Sequence, residues 1–256
     1  MIIENETDRR ESVIRNNDRL LVKYFKMKIT VLSENSECTA NTMNVKPDYG
    51  LTLFIEFEER IILFETGQSD LFIQNAAKMG IPLSQVDYLV IANGHYNHEG
   101  GLKHFLQINK KAKIFLHITA AQKSRTMIIG SIPYYVGPDK KIIAQKNRIY
   151  FIDEDTQIEE KIILLEGFRE VFQQPEANKA SIEKTYNQFF THKFYNELVM
   201  LLIENDEIVL FSGWLHSGII STIEEVKLFS KTMRIKATFF GGHINDLIFK
   251  KQVFEI

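Results

Sequence analysis

Two histidines, His95 and His98, lie in the stretch Leu89-Val-Ile-Ala-Asn-Gly-His-Tyr-Asn-His-Glu-Gly-Gly-Leu102. Imidazole nitrogens bind zinc and related ions, and they exchange protons near neutral pH. The surrounding residues say how such a pair would be carried. Tyr88 to Ile91 is a short apolar run and reads as a buried strand. A polar, glycine-containing loop follows and holds both histidines. Gly100-Gly101 then opens an amphipathic segment, Leu102 to Ile108, that reads as a helix. Histidines in a loop between a strand and a helix can converge on one point, as a metal site requires. Two exposed loop histidines would show the same spacing, so spacing alone leaves both readings open.

The string Ala92-Asn93-Gly94-His95-Tyr96-Asn97-His98-Glu99-Gly100-Gly101-Leu102 resembles the metal-binding loop of the metallo-β-lactamase superfamily. That motif is His-x-His-x-Asp-His after a strand, often followed by Gly-Gly. The branch it resembles most includes the dihydropterin-ribofuranosylaminobenzene-phosphate synthases, with Ser-His-Gly-His-Tyr-Asp-His-Thr-Gly-Gly-Leu. Gly94, His95, Tyr96, His98 and Gly100 to Leu102 match. Asn93 stands at the place of the first histidine, and Asn97 at that of the aspartate.

The resemblance extends from about Met27 to His243 and brings in further positions. Glu65-Thr66-Gly67 resembles the family's Asp-Thr-Gly turn, so Glu65 is expected to support the metal loop from behind. Asn196 falls near the place of the next histidine. Ser212-Gly213-Trp214-Leu215-His216-Ser217-Gly218 resembles Gly-Cys-Ser-His-Ser-Gly, with Trp214 at the position of the bridging ligand. Gly241-Gly242-His243 resembles Gly-Gly-Phe-His, shorter by one residue. The metal set implied by the resemblance is therefore a partial one: His95, His98, His216 and His243. Asn93, Asn97, Asn196 and Trp214 are altered ligand positions.

A two-metal hydrolase needs several ligands and a residue that helps activate water. Neutral amides are poor zinc ligands beside imidazole and carboxylate, and Asn97 cannot accept a proton. The expectation is a hydrolase- or transferase-like protein with zinc or another divalent ion bound weakly or not at all, and with weak or no catalysis. The alternative is an active one-metal hydrolase or transferase using His95, His98, His216 and His243. A small-molecule ligand is compatible with either.

The elements that must position these residues follow the same order. Lys28 to Leu32 alternates and reads as a strand. Leu51–Phe57 and Arg60–Phe64 flank Glu58-Glu59 as a hairpin, and Leu198–Ile203 and Glu207–Phe211 flank Asn205-Asp206 as another. Ser69 or Asp70 can cap a helix that runs to about Met79 and stops at Gly80. Ala112–His117 reads as a strand ending in a capping or packing histidine. Ile142–Ala144, Arg148–Ile152 and Ile162–Leu165 read as short strands, Ile219–Phe229 as a helix, and Ile235–Phe240 as a last strand. Phe172 to Phe190 shows no clear period. The resemblance implies an α/β fold, an αβ/βα sandwich of two mixed sheets with the helices outside.

Residues 1–26 form a separate, charge-rich block, expected as a surface helix or loose tail before a metallo-β-lactamase-like domain over 27–256. Relatives in the family continue past the position of Ile256. Apolar surface around Ile235–Phe240 and Phe249–Phe254 is therefore expected to drive homo-oligomer formation or poor solubility, unless Leu247–Ile256 folds back over it.

The totals narrow the classes. The chain has 256 residues, 45% hydrophobic and 25% charged, enough for one large α/β domain. A net charge of -2 gives no electrostatic case for nucleic acid or an acidic membrane. No run approaches the roughly 18 apolar residues of a membrane span, and no signal peptide is read at the N-terminus. The single cysteine, Cys38, excludes an intrachain disulfide and a cysteine-cluster metal site and fits a cytoplasmic location.

Overall fold

The computed structural model describes residues 27–37, 43–118, 147–166, 197–213 and 218–241, together with the backbone of strands elsewhere. The strands are β1 (Ile2–Ile3), β2 (Ser12–Asn16), β3 (Arg19–Lys23), β4 (Lys28–Ser33), β5 (Thr52–Phe57), β6 (Arg60–Phe64), β7 (Tyr88–Ile91), β8 (Lys113–His117), β9 (Thr126–Ile129), β10 (Ile132–Tyr135), β11 (Ile149–Ile152), β12 (Thr156–Glu159), β13 (Ile162–Glu166), β14 (Ile182–Thr185), β15 (Gln188–Thr191), β16 (Leu198–Glu204), β17 (Glu207–Ser212) and β18 (Arg234–Phe240). The helices among the described residues are α1 (Leu71–Lys78), α2 (Tyr96–Glu99), α3 (Leu102–Ile108) and α4 (Ile219–Phe229).

Two mixed sheets make the body. A seven-stranded sheet runs β1-β4-β5-β6-β7-β8-β11, and a five-stranded sheet runs β12-β13-β16-β17-β18. In the first, β4, β5 and β6 pair antiparallel, while β6, β7, β8 and β11 are parallel. The parallel strands are joined by α1 and by α2 with α3, so the loops after β6, β7 and β8 lie at one edge.

Apolar side chains alternate between the two faces of each strand. Phe64, Val90, Ala92 and Phe115 of the first sheet meet Leu164, Met200 and Phe211 of the second, forming the core between the sheets. On the outer face of the first sheet, Leu89, Ile91 and Ile114 pack against Phe72 of α1 and Phe105 of α3. On the outer face of the second, Val199, Leu201 and Leu210 pack against Val226 of α4. Strands buried on both faces need near-continuous apolar runs, as in Leu198-Val-Met-Leu-Leu-Ile203. This is the expected sandwich with its helices outside.

Local chemistry sets the turns. Asn205 and Asp206 both take positive φ, 53° and 61°, in the two-residue connection of β16 to β17. Gly80, with φ 69°, ends α1, whose first turn is met by the Ser69 hydroxyl accepting from Leu71 N at 3.1 Å. Thr156–Glu159, too polar to read as a strand, is one because it forms a sheet edge beside β13.

The charged N-terminal block differs from the helix or loose tail expected of it. β1 pairs with β4, and β2 with β3 as a hairpin that sets Val13 opposite Val22 and Ile14 opposite Leu21. The turn-forming pair Asn17-Asp18 separates these two apolar runs, which makes hairpin pairing the better local solution. In β18, Ile235, Ala237 and Phe239 are half-buried, and Phe239 stacks on Phe211 at 5.2 Å. The expected strand at 142–144 and residues 249–254 lie outside the described residues.

The end of the sandwich away from the β7–α2 loop is clamped by side chains. Tyr88 donates its hydroxyl to Glu159 Oε1, which also accepts from Arg60 Nε at 2.6 Å. Burial, then the hydrogen bond to Glu159 and its charge, push the Tyr88 phenol from 10.0 up to about 12. Tyr88 is neutral when protonated, so a raised folded pKa means that folding favours the protonated form. That contribution is complete below the unfolded value of 10.0 and is lost as pH rises towards about 12. Urea midpoints of the wild type should fall as pH passes 10.0, with a shallower fall in Tyr88→Phe. Parallel curves for the two proteins would show that this phenol does not sense folding.

Candidate functional site

The histidine loop begins where β7 ends. Asn93 is fully buried, and its Oδ1 accepts from His95 N at 3.1 Å, a local turn typical of this residue. His95 itself is extended and caps α2, so the backbone amides of His98 and Glu99 donate to its carbonyl at 2.9 and 3.1 Å. One helical turn later, His98 points inward and is 1% exposed, while His95 stays half-buried. Their ring centroids are 6.4 Å apart.

Glu65 lies behind His98. It ends the β6 strand in the left-handed region, φ 64°, and is fully buried. Its Oε1 accepts from Ala92 N at 3.0 Å, and its Oε2 lies 3.4 Å from His98 Nδ1. Burial raises the Glu65 carboxyl above its ordinary range, against the opposing pull of His98 and the Ala92 amide. A buried side chain held at positive φ stores strain that the surrounding contacts must outweigh. Thr66 supplies some of them: its amide and hydroxyl donate to the His98 carbonyl at 2.8 and 2.9 Å.

Close backbone approaches complete the loop. Gly50, φ 112°, sits so near the Asn97 carbonyl that a Cβ there would overlap it. A Cβ at Gly213 would overlap Glu65 Oε1 and lie 3.1 Å from His98 Nδ1. Gly241 approaches the Gly213 carbonyl in the same way. The chain segments at 50, 213 and 241 therefore gather around the histidine loop, each admitted by a missing side chain.

The Asn97 amide nitrogen, Nδ2, lies 3.1 Å from His98 Nε2. Both ring nitrogens of His98 thus face a side chain of this loop or of Glu65. Glu99 is buried, 5% exposed. Tyr96 is 42% exposed and stacks on Tyr49 at 6.1 Å, forming an aromatic rim beside His95. Burial, then the neighbouring Tyr96 hydroxyl, raise the Tyr49 phenol.

Trp214, His216, Asn196 and His243 lie outside the described residues. Among the described residues, no three His, Cys, Asp or Glu side chains are placed to hold a metal ion. His98 Nε2 is turned to an amide rather than to an open position. The described donors alone are fewer than a two-ion centre takes, and the other expected ligand positions lie outside the described residues.

Two polar pairings were not read from the sequence, although His117 itself is the packing or capping histidine expected at the end of its strand. Glu197, 4% exposed, forms a bridge with Asn93 across the two sheets. His117, 2% exposed, places Nε2 2.7 Å from Glu166 Oε1. His117 ends β8 and Glu166 ends β13, so this pair also spans the sheets at the loop edge. Their only sequence signal is a polar residue closing an apolar strand.

No family model matches the chain. It is 26% identical over 202 residues to an uncharacterised protein of Methanocaldococcus jannaschii, covering 77% of this chain and 73% of that one. It is 24% identical over 219 residues to the 7,8-dihydropterin-6-methyl-4-(β-D-ribofuranosyl)-aminobenzene-5′-phosphate synthase of the same organism, covering 77% and 71%. A crystal structure of a metal-dependent hydrolase of the β-lactamase superfamily superposes with a TM-score of 0.73 at 22% identity, over 90% of this chain and 82% of that one. Among the described residues, no helix is long and apolar enough to cross a membrane. The order of the two mixed sheets, the placing of the β7–α2 loop and this superposition together identify the fold as that of the metallo-β-lactamase superfamily.

Proposed function

We propose that this chain is a metallo-β-lactamase-fold protein, related in sequence to the pterin-phosphate synthase branch, whose metal site is reduced and whose catalysis is weak or absent. The observation that carries this reading is the Asn97 amide placed 3.1 Å from His98 Nε2. An amide nitrogen offers no lone pair to a metal and no base to a water. Asn93 adds to it, since its Oδ1 is committed to the loop backbone. The role that remains for the site is binding of a small molecule at the rim of Tyr96, Tyr49 and His95, in a cytoplasmic protein. His95 and His98, with His216 and His243, supply the only imidazoles in this reading for a divalent ion such as zinc.

Elemental analysis of purified protein and a zinc titration test this directly. Fewer than two ions per chain, removed by dialysis against a chelator, is the expected result. Two tightly held ions per chain would overturn it. The likeness to the synthase favours a second reading, a one-metal hydrolase or transferase using those four histidines. One tightly held ion, together with turnover that chelation abolishes, would establish the second reading instead.

A further inference from the structure

Helix α4 opens without a cap. Gly218 precedes it at positive φ, 86°, and has no side chain to accept from the first turn. The helical ladder starts with Thr222 N donating to Gly218 O at 3.0 Å. The amides of Ile219, Ile220 and Ser221 therefore donate to nothing among the described residues. We propose that this end of α4 is an anion subsite, built from those three amides and the Ser221 hydroxyl, for a phosphoryl group on the small molecule that binds at the loop rim. The small-molecule ligand rests on the reading given under Proposed function; the anion site stands on its own donors.

A buried hydroxyl separates this from an ordinary helix end. Ser221 is 1% exposed, and its Oγ has no hydrogen-bond partner. Thr222, equally buried, donates its hydroxyl to Gly218 O at 3.1 Å, the bond that a helical serine or threonine commonly makes. Ser221 makes no such bond, and a buried polar group left unpaired is costly. The Cα–Cβ bond of a helical residue tilts towards the helix N-terminus, so a hydroxyl in the third helical position is directed at the open amides of its own first turn. Three amides, a hydroxyl and the positive end of the helix dipole make a donor set that lacks an acceptor, and an anion supplies one. The first turn holds no acidic residue. Glu224 and Glu225 lie one turn further on, where Glu224 is paired with Lys227 at 2.8 Å. Four donors suit the three oxygens of a phosphoryl group better than the two of a carboxylate.

The position of α4 ties this subsite to the loop edge. β17 ends at Ser212, and the next residue, Gly213, is the one seated against Glu65 and His98. Gly218 follows five residues later, a stretch that reaches at most about 18 Å. The open end of α4 therefore lies on the same edge as the rim of Tyr96, Tyr49 and His95. Ligands of α/β sheets gather at the carboxyl ends of strands for this reason, because the helix that follows presents its free amides there. An anchor of this kind holds a phosphoryl group without a metal ion.

The test is a titration of the full chain, labelled with nitrogen-15 and stripped of metal on a chelating resin, with inorganic phosphate. The amide resonances of Ile219, Ile220 and Ser221 should shift together and saturate. Shifts that do not saturate, or that spread over surface lysines, would mean an adventitious ion only and overturn the proposal. Ser221→Ala should weaken phosphate binding about tenfold, on the scale of a hydrogen bond to a charged group. Without phosphate it should melt no lower than the wild type, since the hydroxyl it removes has no partner. Equal phosphate affinity in Ser221→Ala would overturn the proposal. Should that variant fail to fold, Ile219→Pro removes one of the three amides at the position where a helix best accepts proline, and the same loss is expected. Acetate should bind more weakly than phosphate; equal binding would overturn the phosphoryl assignment. Phosphate bound only after zinc is restored would place the anion on a metal ion and overturn the subsite. Two tightly held zinc ions per chain, with phosphate still bound by the stripped protein, would refute the reduced-site reading and leave the subsite standing.

Discussion

Gly50→Ala is expected to destabilise the protein by about 4 kcal/mol, the sum of a strained backbone and a steric overlap that cannot relax easily. At φ 112° an L side chain is disfavoured on its own account. The new Cβ would also overlap the carbonyl of Asn97 and lie 3.1 Å from the Gly67 Cα, both backbone atoms. Neither can swing away as a flexible side chain would. The loop cannot simply lift either, because Gly50 N donates to Asn35 Oδ1 at 2.7 Å and Gln68 N donates to Tyr49 O at 3.1 Å. Gly80→Ala separates the two causes. It shares the positive φ, 69°, but its Cβ would meet nothing within 4 Å, so it should cost only about 1 kcal/mol. Chemical denaturation of the two variants gives both values. Equal losses would mean that the Tyr49–Gly50 segment is not seated on the histidine loop.

The second large effect concerns zinc. Asn93→His together with Asn97→Asp should raise zinc affinity on the order of 100-fold, since it supplies an imidazole and a carboxylate where amides now stand. The positions suit the change: Asn93 and Asn97 are both buried within the loop that holds His95 and His98. The aspartate would also remove the amide facing His98 Nε2 and put an anionic oxygen in its place. Trp214→Cys is added to the same background to take away the bulk of an indole and supply a thiolate. Competition titration reads the affinities, with thermal melts to confirm that each variant folds. An affinity unchanged in the double variant and again in the triple variant would show that this histidine cluster is not a latent metal site.

The parts of the fold that were legible in the sequence are those decided within a few residues. The strand Tyr88–Ile91 and the helix Leu102–Ile108 came from apolar periodicity and two glycines, whereas the short helix Tyr96–Glu99, which places His98, was read as loop. The hairpins at Glu58-Glu59 and Asn205-Asp206 came from turn chemistry, and the α4 boundaries, Ile219 and Phe229, from a helical stripe ending in a polar segment. Glu65 was found through the Glu-Thr-Gly string, and its contact with His98 gives that string a physical content. Pairings between distant segments were not legible. His117 and Glu166 are 49 residues apart, and nothing in either neighbourhood names the other. Glu197 meets Asn93 only because β16 starts where β7 ends. The hairpin of β2 and β3 was hidden by charge density, which masked its short apolar runs.

The two sheets are joined differently at their two ends. At the loop edge, Leu198 N donates to Ala92 O at 2.8 Å, so a main-chain hydrogen bond passes from one sheet to the other, with the Asn93–Glu197 bridge beside it. At the far end the links are side chains: Arg60 with Glu159, and Lys161 with Glu58, each partly exposed. Salt weakens exposed ion pairs and leaves a buried amide–carbonyl bond nearly untouched. The sandwich thus behaves as a book with its spine at the histidine loop. Thermal breathing is expected to part the covers from the far side first, with the amide of Leu198 among the slowest to exchange with solvent. A ligand entering by the loop therefore meets the end at which the two sheets share a main-chain hydrogen bond, not the end held by exposed ion pairs.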